Sequence, residues 1–338
     1  MTDDSRNDGA ARDVPEVTTL SDGSPPSRPG SSIFTIEGRA APGLFVVGWL
    51  ATLVGLGLTI IGFLGRTVVI VMPGLLILSI GLLAAAGAQA FERRARGKEP
   101  YQGPSPFLAF AASIAVTLLV GSLVGLTLSF LSVSTKGPGG DLLAILVQAG
   151  AYLGVIALTV VGTGALSWRD MGFTRSIGEA LEDAGWGAVF AGPVIVATLV
   201  VQVILVSIFQ VTPESPLTPT TETVGFLFNL LAGAVVAPVG EEVMFRGLAT
   251  TAWARSLGVT QGIVRAGLFF AFAHILTTSA TTAGTGIALA IVGFTARIPV
   301  ALVLGWVFVR RGSIWASIGL HAAFNGILIV LARAALPA

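Results

Sequence analysis

The stretch VGFLFNLLAGAVVAPVGEEVMFRGLATT, at positions 224–251, decides what kind of fold this chain adopts. It is longer than the about 20 predominantly apolar residues that a helix needs to cross a bilayer. Three charged residues nevertheless interrupt it, namely Glu241, Glu242 and Arg246. A charge at the centre of a membrane helix costs about 2.5–3.5 kcal/mol on insertion scales. The stretch therefore predicts a membrane-spanning helix whose charges have either a function or very good partners.

The whole chain has the composition of a multi-pass membrane protein. Of its 338 residues, 54% are apolar and only 11% are charged, and the mean hydropathy is +0.87. Ordinary soluble domains carry about 25% charged residues. We therefore predict an all-α, polytopic transmembrane helix bundle of about nine spans. The predicted spans lie near 43–64, 67–90, 106–131, 142–165, 187–210, 224–251, 262–281, 285–309 and 313–333.

Composition also divides the chain into regions. Residues 1–41 carry seven acidic and four basic residues and the stretch SDGSPPSRPGSS, which together predict a disordered cytoplasmic tail. Residues 42–100 predict an N-terminal pair of transmembrane helices, and residues 101–338 predict a larger bundle. Within the loop 166–186, Ser176 followed by Glu179 has the spacing of a capping box and predicts a short helix at the membrane surface.

The distribution of Lys and Arg predicts the orientation. Counted from the tail onward, the odd-numbered flanks of the predicted spans carry twelve Lys and Arg residues in total, and the even-numbered flanks carry three. Cytoplasmic loops are the ones that carry an excess of positive charge. We therefore predict a multi-pass protein of the cell membrane with a cytoplasmic N-terminus and residue 338 on the opposite side.

Several function classes are excluded or disfavoured by composition. The chain has no cysteine, which excludes disulfides, thiolate metal sites and cysteine nucleophiles. Its net charge of +1 gives no sign of nucleic-acid binding. The sequence contains no H-E-x-x-H, G-x-S-x-G or Walker A motif.

The two adjacent glutamates are predicted to have different roles. After Glu222 they are the only acidic residues of the sequence. Glu242 and Arg246 are four positions apart, so they share a helix face and can form an ion pair. Glu241 is rotated by about 100° from Glu242 and is free to face elsewhere. We interpret Glu242 with Arg246 as a structural pair and Glu241 as a carboxylate that takes part in chemistry.

The two histidines of the chain fall in the same region as the glutamates. His274 follows Phe270 by one helical turn, and His321 precedes Asn325 by one turn. Counting residues from the cytoplasmic ends of their spans places Glu241, His274 and His321 at a common depth of roughly 12–18 Å. A carboxylate with two imidazoles is a known catalytic zinc set, and Glu with His can also activate water without metal. We slightly favour the metal-free alternative over Zn²⁺.

Arg297 is a further charge within a predicted span. It lies near the middle of the eighth span, two positions before Pro299. One interpretation of this charge is that the Arg297 side chain binds backbone carbonyl oxygens that Pro299 leaves without an N–H partner. The alternative is that it contacts a carboxylate of the substrate.

The motifs at residues 241–246, 270–274 and 321–325 together resemble those of the CPBP family of intramembrane proteases. These are the CAAX proteases and the related bacteriocin-immunity, abortive-infection and lysostaphin resistance protein A-like proteins. The similarity extends over about residues 224–332 and includes the strings APVGEEVMFRG and RRGSIWASIGLHAAFN. It implies an all-α intramembrane endopeptidase of the lipid bilayer that cleaves a membrane-tethered peptide or protein substrate near the substrate's C-terminus.

The resemblance also implies roles for individual residues. Glu241 and His274 would activate water, and His321 and Asn325 would stabilise the tetrahedral oxyanion. Glu242, Arg246 and Phe270 would support them. Metal dependence in the family is disputed, so the cofactor is none or Zn²⁺.

Two other functions remain as alternatives. Ionisable residues in a membrane also suit a transporter or an ion- or proton-relay protein. A catalytically silent immunity or scaffold protein could retain the same residues for packing.

Overall fold

A computed structural model of the chain describes residues 39–97, 99–173, 176–213, 215, 217–276 and 278–336. The disordered tail predicted over 1–41 lies almost wholly outside the described residues. The described part from Arg39 onward forms one unit. It is helical and contains no strand, which confirms the predicted all-α fold.

Ten helices follow one another along the described part of the chain. They are α1 (Pro42–Leu64), α2 (Val68–Arg96), α3 (Pro106–Phe130), α4 (Pro138–Val161), α5 (Ile177–Ala188), α6 (Ala191–Phe209), α7 (Thr223–Leu257), α8 (Val259–Ala273), α9 (Ala283–Arg311) and α10 (Ile314–Ala334). Counting α5 with α6 as one segment, eight helical segments of the described residues are long and apolar enough to cross a membrane. The multi-pass architecture is therefore confirmed.

The seventh predicted span, 262–281, differs from the structure. Its helix, α8, has 15 residues and ends at Ala273. At 1.5 Å per residue it measures about 22 Å, less than the roughly 30 Å of a bilayer core. The chain after it is rich in Ser and Thr, whose side chains compete for backbone hydrogen bonds and disfavour helix interiors. Thr282 instead caps α9, accepting a hydrogen bond from the backbone N–H of Thr285.

Basic residues at the ends of α2 and α7 contact the loop that follows α4. Arg94 of α2 donates to the carbonyl oxygen of Thr163 just after α4, and Arg255 of α7 pairs with Asp170. Hydrogen bonds from the backbone N–H and the hydroxyl of Ser167, with those from Arg255, hold the pKa of Asp170 below its usual value. The loop after α4 thus joins the ends of α2 and α7.

Helix α5 closes the same end of the bundle. Ser176 and Glu179 form both hydrogen bonds of the capping box, so the short helix predicted in this loop is present. Gly187 lies so close to the backbone of Ala316 that an added Cβ would stand 1.9 Å from its carbonyl oxygen. Arg311, the last residue of α9, pairs with Asp183 of α5 at 2.5 Å. The start of α10 is therefore covered by α5 rather than exposed.

The opposite end of the bundle is joined by other contacts. Arg333 near the end of α10 donates to the carbonyl oxygen of Thr221 before α7, and Asp141 at the start of α4 accepts from the backbone N–H of Thr218. Helix α8 begins just after Arg255, and α9 ends at Arg311, so both points lie at the end of the bundle that α5 closes. The start of α9 lies at the opposite end. The chain therefore crosses the bundle between the start of α8 and the start of α9. The short helix is therefore one part of a crossing that a non-helical segment completes.

Candidate active site

Wide π-helical turns flank the two glutamates on α7. Residues Leu231–Val236 and Val243–Thr250 are π-helical, and only Ala237–Glu242 between them is α-helical. Each π turn shifts the side-chain directions relative to a regular helix, and such turns are frequent at functional sites. Regular 100° spacing therefore does not describe where the side chains around Glu241 and Glu242 point.

Glu242 and Arg246 form the ion pair that their spacing predicts. Their Oε1 and NH1 atoms are 3.0 Å apart, and both side chains are completely buried. The guanidinium also donates to the carbonyl oxygen of Ala301 at 3.1 Å and lies over the ring of Phe270, with Cζ 4.5 Å from its centroid. Arg246 of α7 thereby joins α8 and α9.

Glu242 has a second partner that the sequence analysis did not predict. Its Oε1 lies 2.7 Å from Nδ1 of His321 on α10. An ionised carboxylate only accepts hydrogen bonds, so Nδ1 is the protonated nitrogen and donates. This contact turns the Nε2 side of the His321 ring toward Glu241. The sequence carries no signal for it except that a buried imidazole requires a partner.

His274 is the first residue after α8 rather than a residue within a span. Its Nδ1 lies 2.8 Å from the carbonyl oxygen of Phe270, which makes Nδ1 the donor and leaves the Nε2 lone pair free in the neutral ring. The rings of Phe270 and His274 pack with their centroids 4.3 Å apart and their planes tilted by 48°, and the Phe270 ring also contacts the His321 ring at 5.8 Å. Phe270 therefore holds both imidazoles in place.

Glu241 lies between the two histidines. Its Oε2 is 3.5 Å from Nε2 of His274 and 3.8 Å from Nε2 of His321. The structure thus brings together the three residues that the sequence analysis selected. Glu241 and His274 keep 17% and 26% of their side-chain surface exposed, whereas Glu242 and Arg246 keep none. The ion pair is therefore closed to a substrate, whereas part of the Glu241 and His274 side chains is accessible, although the Oε2 atom of Glu241 that faces the imidazoles is itself buried and has no hydrogen-bond partner in the described part of the chain.

The charges of Glu241, Glu242 and Arg246 do not balance among themselves. Glu241 and Glu242 carry two negative charges when ionised, and Arg246 carries one positive charge. A net charge at membrane depth is costly, so neutrality favours a further positive charge beside the site or one additional proton on an imidazole or on Glu241. An arrangement that holds one proton among a carboxylate and two imidazoles can accept and return a proton during a reaction.

The depth predicted from residue counts is not a reliable guide here. His321 is the eighth residue of α10, and Glu241 is sixteen positions before the end of α7. The two numbers of residues counted from the helix ends differ about twofold, yet Nε2 of His321 lies only 3.8 Å from Oε2 of Glu241. The reason is that helix ends do not lie at one level, since α10 begins inside the bundle, where Ser313 and Ile314 are fully buried.

Asn325 lies one turn after His321, but its side chain binds the backbone of α7 rather than Glu241 or the histidines. Its side-chain amide donates to the carbonyl oxygen of Gly233, in the first π-helical turn of α7, at 2.8 Å. This contact uses one of its two N–H groups. The oxyanion role of Asn325 stays a prediction.

Glu241, His274 and His321 are also the residues that the sequence analysis offers as metal ligands. Among the residues that the structure describes, no group of three or more His, Cys, Asp or Glu side chains is arranged so that it could hold a metal ion. The steps proposed below use these residues without a metal. Metal dependence stays a prediction that chelation can test.

Comparison with known proteins identifies this part of the chain. Residues 223–327 match the family of type II CAAX prenyl endopeptidases described as Rce1-like. The match contains all three motifs and confirms the resemblance to the CPBP intramembrane proteases. No curated protein and no solved structure matches the chain. At the general level, the family is one of membrane-embedded proteases.

Proposed function

We propose, from the premise that residues 223–327 are an Rce1-like protease domain, that the protein is an intramembrane endopeptidase that cleaves a membrane-associated peptide. One observation carries the proposal: the Glu241 carboxylate faces Nε2 of both His274 and His321 at 3.5 and 3.8 Å. These separations are too long for direct hydrogen bonds, and the Glu241 carboxylate and Nε2 of His274 are both acceptors when the His274 ring is neutral. A water molecule that donates one hydrogen bond to the Glu241 carboxylate and one to Nε2 of His274 satisfies both acceptors.

Glu241 and His274 activate that water in the first step. As the water oxygen attacks the scissile carbonyl carbon, its proton passes to the Glu241 carboxylate, while the lone pair on His274 Nε2 accepts the other O–H group. The Nδ1 contact with the Phe270 carbonyl fixes the tautomer that leaves this lone pair free. When the tetrahedral intermediate collapses, the proton on Glu241 moves to the leaving amine, and both atoms and charges balance.

His321 and Asn325 stabilise the oxyanion of the tetrahedral intermediate. His321 donates from Nε2 when its ring carries two protons, and Glu242, hydrogen-bonded to Nδ1, stabilises that charged form. Asn325 contributes the N–H group that Gly233 does not occupy. Donors aimed at a developing oxyanion contribute about 2.7–4 kcal/mol each.

The substrate is a peptide or protein held at the lipid bilayer. Glu241, His321 and Asn325 lie within helices of a multi-pass membrane protein, His274 directly follows one, and Glu241 is only partly exposed. A chain therefore reaches them from the membrane surface or laterally from the lipid. We propose a cytoplasmic N-terminus from the Lys and Arg distribution.

The test uses the purified full chain in lipid nanodiscs with a library of lipid-anchored peptides and mass spectrometry of the products. The wild-type protein is expected to cleave a subset of the peptides, and Glu241→Gln is expected to cleave none. Glu222→Gln is the matched control, because Glu222 is an exposed acid just before α7 and is expected to leave cleavage unchanged. Cleavage by Glu241→Gln at the wild-type rate would contradict the proposal.

A further inference from the structure

Arg297 lies at the middle of α9, as the fifteenth of its 29 residues. At 1.5 Å per residue it is about 21 Å from either end of a helix that is long and apolar enough to cross a membrane. Unlike Arg246, it forms no ion pair with any residue that the structure describes. Such a charge is costly, and charged groups within membrane spans are by default functional candidates.

The contacts of Arg297 do not follow from Pro299. Pro299 has no N–H group, so it cannot donate the helical hydrogen bond to the carbonyl oxygen of Thr295, four positions earlier. The guanidinium does not bind this carbonyl but donates from NH1 to the carbonyl oxygen of Gly293 at 2.8 Å. Five N–H groups belong to a guanidinium, so several donors remain beyond this bond.

The guanidinium lies beside the candidate active site. Because residue 293 is glycine, the side chain of Arg297 folds back over it, and an added Cβ there would stand 3.3 Å from NH1. The same Cβ would stand 3.7 Å from the side chain of Ile275, which directly follows His274. Arg297 thus places a half-buried cation at the edge of the site.

We propose that Arg297 binds the α-carboxylate at the C-terminus of the peptide substrate, an inference that rests on the proposed endopeptidase function. The planar guanidinium matches a carboxylate with two parallel hydrogen bonds. An extended peptide advances about 3.3–3.6 Å per residue, so a carboxylate a few residues beyond the scissile bond reaches a cation at the edge of the site. Lipid phosphates lie at the membrane surface, too far from the middle of α9 to serve as its anion.

The test compares two peptides that differ only at the C-terminus. A lipid-anchored peptide that the wild-type protein cleaves is synthesised with a free carboxylate and with a carboxamide. The readout is the ratio of kcat/KM for the acid to kcat/KM for the amide, measured within each variant, so that differences in the amount of folded protein cancel. We expect the wild-type protein to prefer the acid by about 10- to 100-fold, because hydrogen bonds to charged groups are the strong ones.

Substitution of Arg297 is expected to remove this preference. Arg297→Gln should bring the ratio close to one, and Arg297→Lys should retain part of it, because the charge remains but the two-pronged geometry is lost. Arg265→Gln is the matched control: Arg265 is an exposed arginine of α8 and should leave the ratio at the wild-type value.

Each other outcome overturns the inference. Equal cleavage of acid and amide by the wild-type protein would overturn it and leave the proposed function in place. A ratio unchanged in Arg297→Gln, with both peptides cleaved more slowly, would assign Arg297 to the support of Glu241 instead. If the wild-type protein cleaves no lipid-anchored peptide of the library, the proposed function fails and this inference fails with it.

Discussion

Glu242 accepts a hydrogen bond from Nδ1 of His321 at 2.7 Å, although the two residues are 79 positions apart on different helices. The same carboxylate oxygen forms the ion pair with Arg246. Glu242 therefore has two tasks that the sequence analysis did not separate. It neutralises a buried arginine, and it orients and stabilises the imidazole that faces Glu241.

Substitution of Glu242 separates these two tasks. Glu242→Gln leaves the buried Arg246 without a counter-charge and is expected to lower the free energy of unfolding by about 3–5 kcal/mol. The double variant Glu242→Gln/Arg246→Met removes both charges and should recover most of that loss, since replacement of a buried ion pair by apolar side chains is often neutral. Thermal unfolding in detergent measures both effects.

The activity of the same variants is expected to behave differently. Both should cleave peptide about 100-fold more slowly or worse, because neither carries the carboxylate that stabilises the charged His321 ring. Glu241→Gln should show the reverse pattern, with lost cleavage and a wild-type unfolding midpoint. Recovery of cleavage in the double variant would show that Glu242 serves only to neutralise Arg246.

Asn325→Ala is expected to reduce kcat by about 10²–10³-fold with little change in KM, as for the loss of one oxyanion donor. Steady-state kinetics on one cleaved peptide measure both constants. Since Asn325 also donates to Gly233, the unfolding midpoint is recorded in parallel. A lowered midpoint with unchanged kcat would mean that Asn325 only joins α10 to α7.

Metal removal distinguishes the two accounts of water activation. If Glu241 and His274 activate water unaided, a membrane-permeant chelator leaves the cleavage rate of the purified protein unchanged. Stoichiometric zinc in active protein, with activity lost to the chelator and restored by Zn²⁺, would contradict the metal-free account. That result would leave the endopeptidase proposal in place.

The predicted orientation is testable with single cysteines, because the chain has none of its own. Ser134 lies exposed between α3 and α4, and Gly178 lies exposed on α5. In intact cells a membrane-impermeant maleimide is expected to label Ser134→Cys but not Gly178→Cys, and to label both after lysis. Labelling of Gly178→Cys alone in intact cells would reverse the orientation.

Much of the candidate site could be predicted from the sequence because its residues conflict with their surroundings. A bilayer makes every charge expensive, so Glu241, Glu242 and Arg246 are conspicuous in an apolar stretch. The pair of Glu242 with Arg246 also follows from local geometry, since four positions make one helical turn. Hydropathy likewise predicts the helical segments that are long enough to cross a membrane, whereas the count of nine spans and the orientation drawn from Lys and Arg stay predictions.

The ends of the helices were less predictable because hydropathy does not report them. The Ser- and Thr-rich segment after α8 is apolar enough to count as part of a span, but its side chains compete for backbone hydrogen bonds. His274 therefore caps a short helix, and its Nδ1 contact with Phe270 sets the tautomer.

The sequence by itself determined the membrane environment, the all-helical architecture and the identity of the ionisable residues, because these depend on composition and on spacing within one helix. Only the tertiary structure decided that Glu242 contacts His321, that Glu241 lies between two imidazoles and that Arg297 and Ile275, the residue after His274, both border Gly293. Those contacts join helices far apart in the chain. They depend on helix levels, on the π-helical turns of α7 and on how the bundle packs, and no local pattern in the sequence encodes these properties.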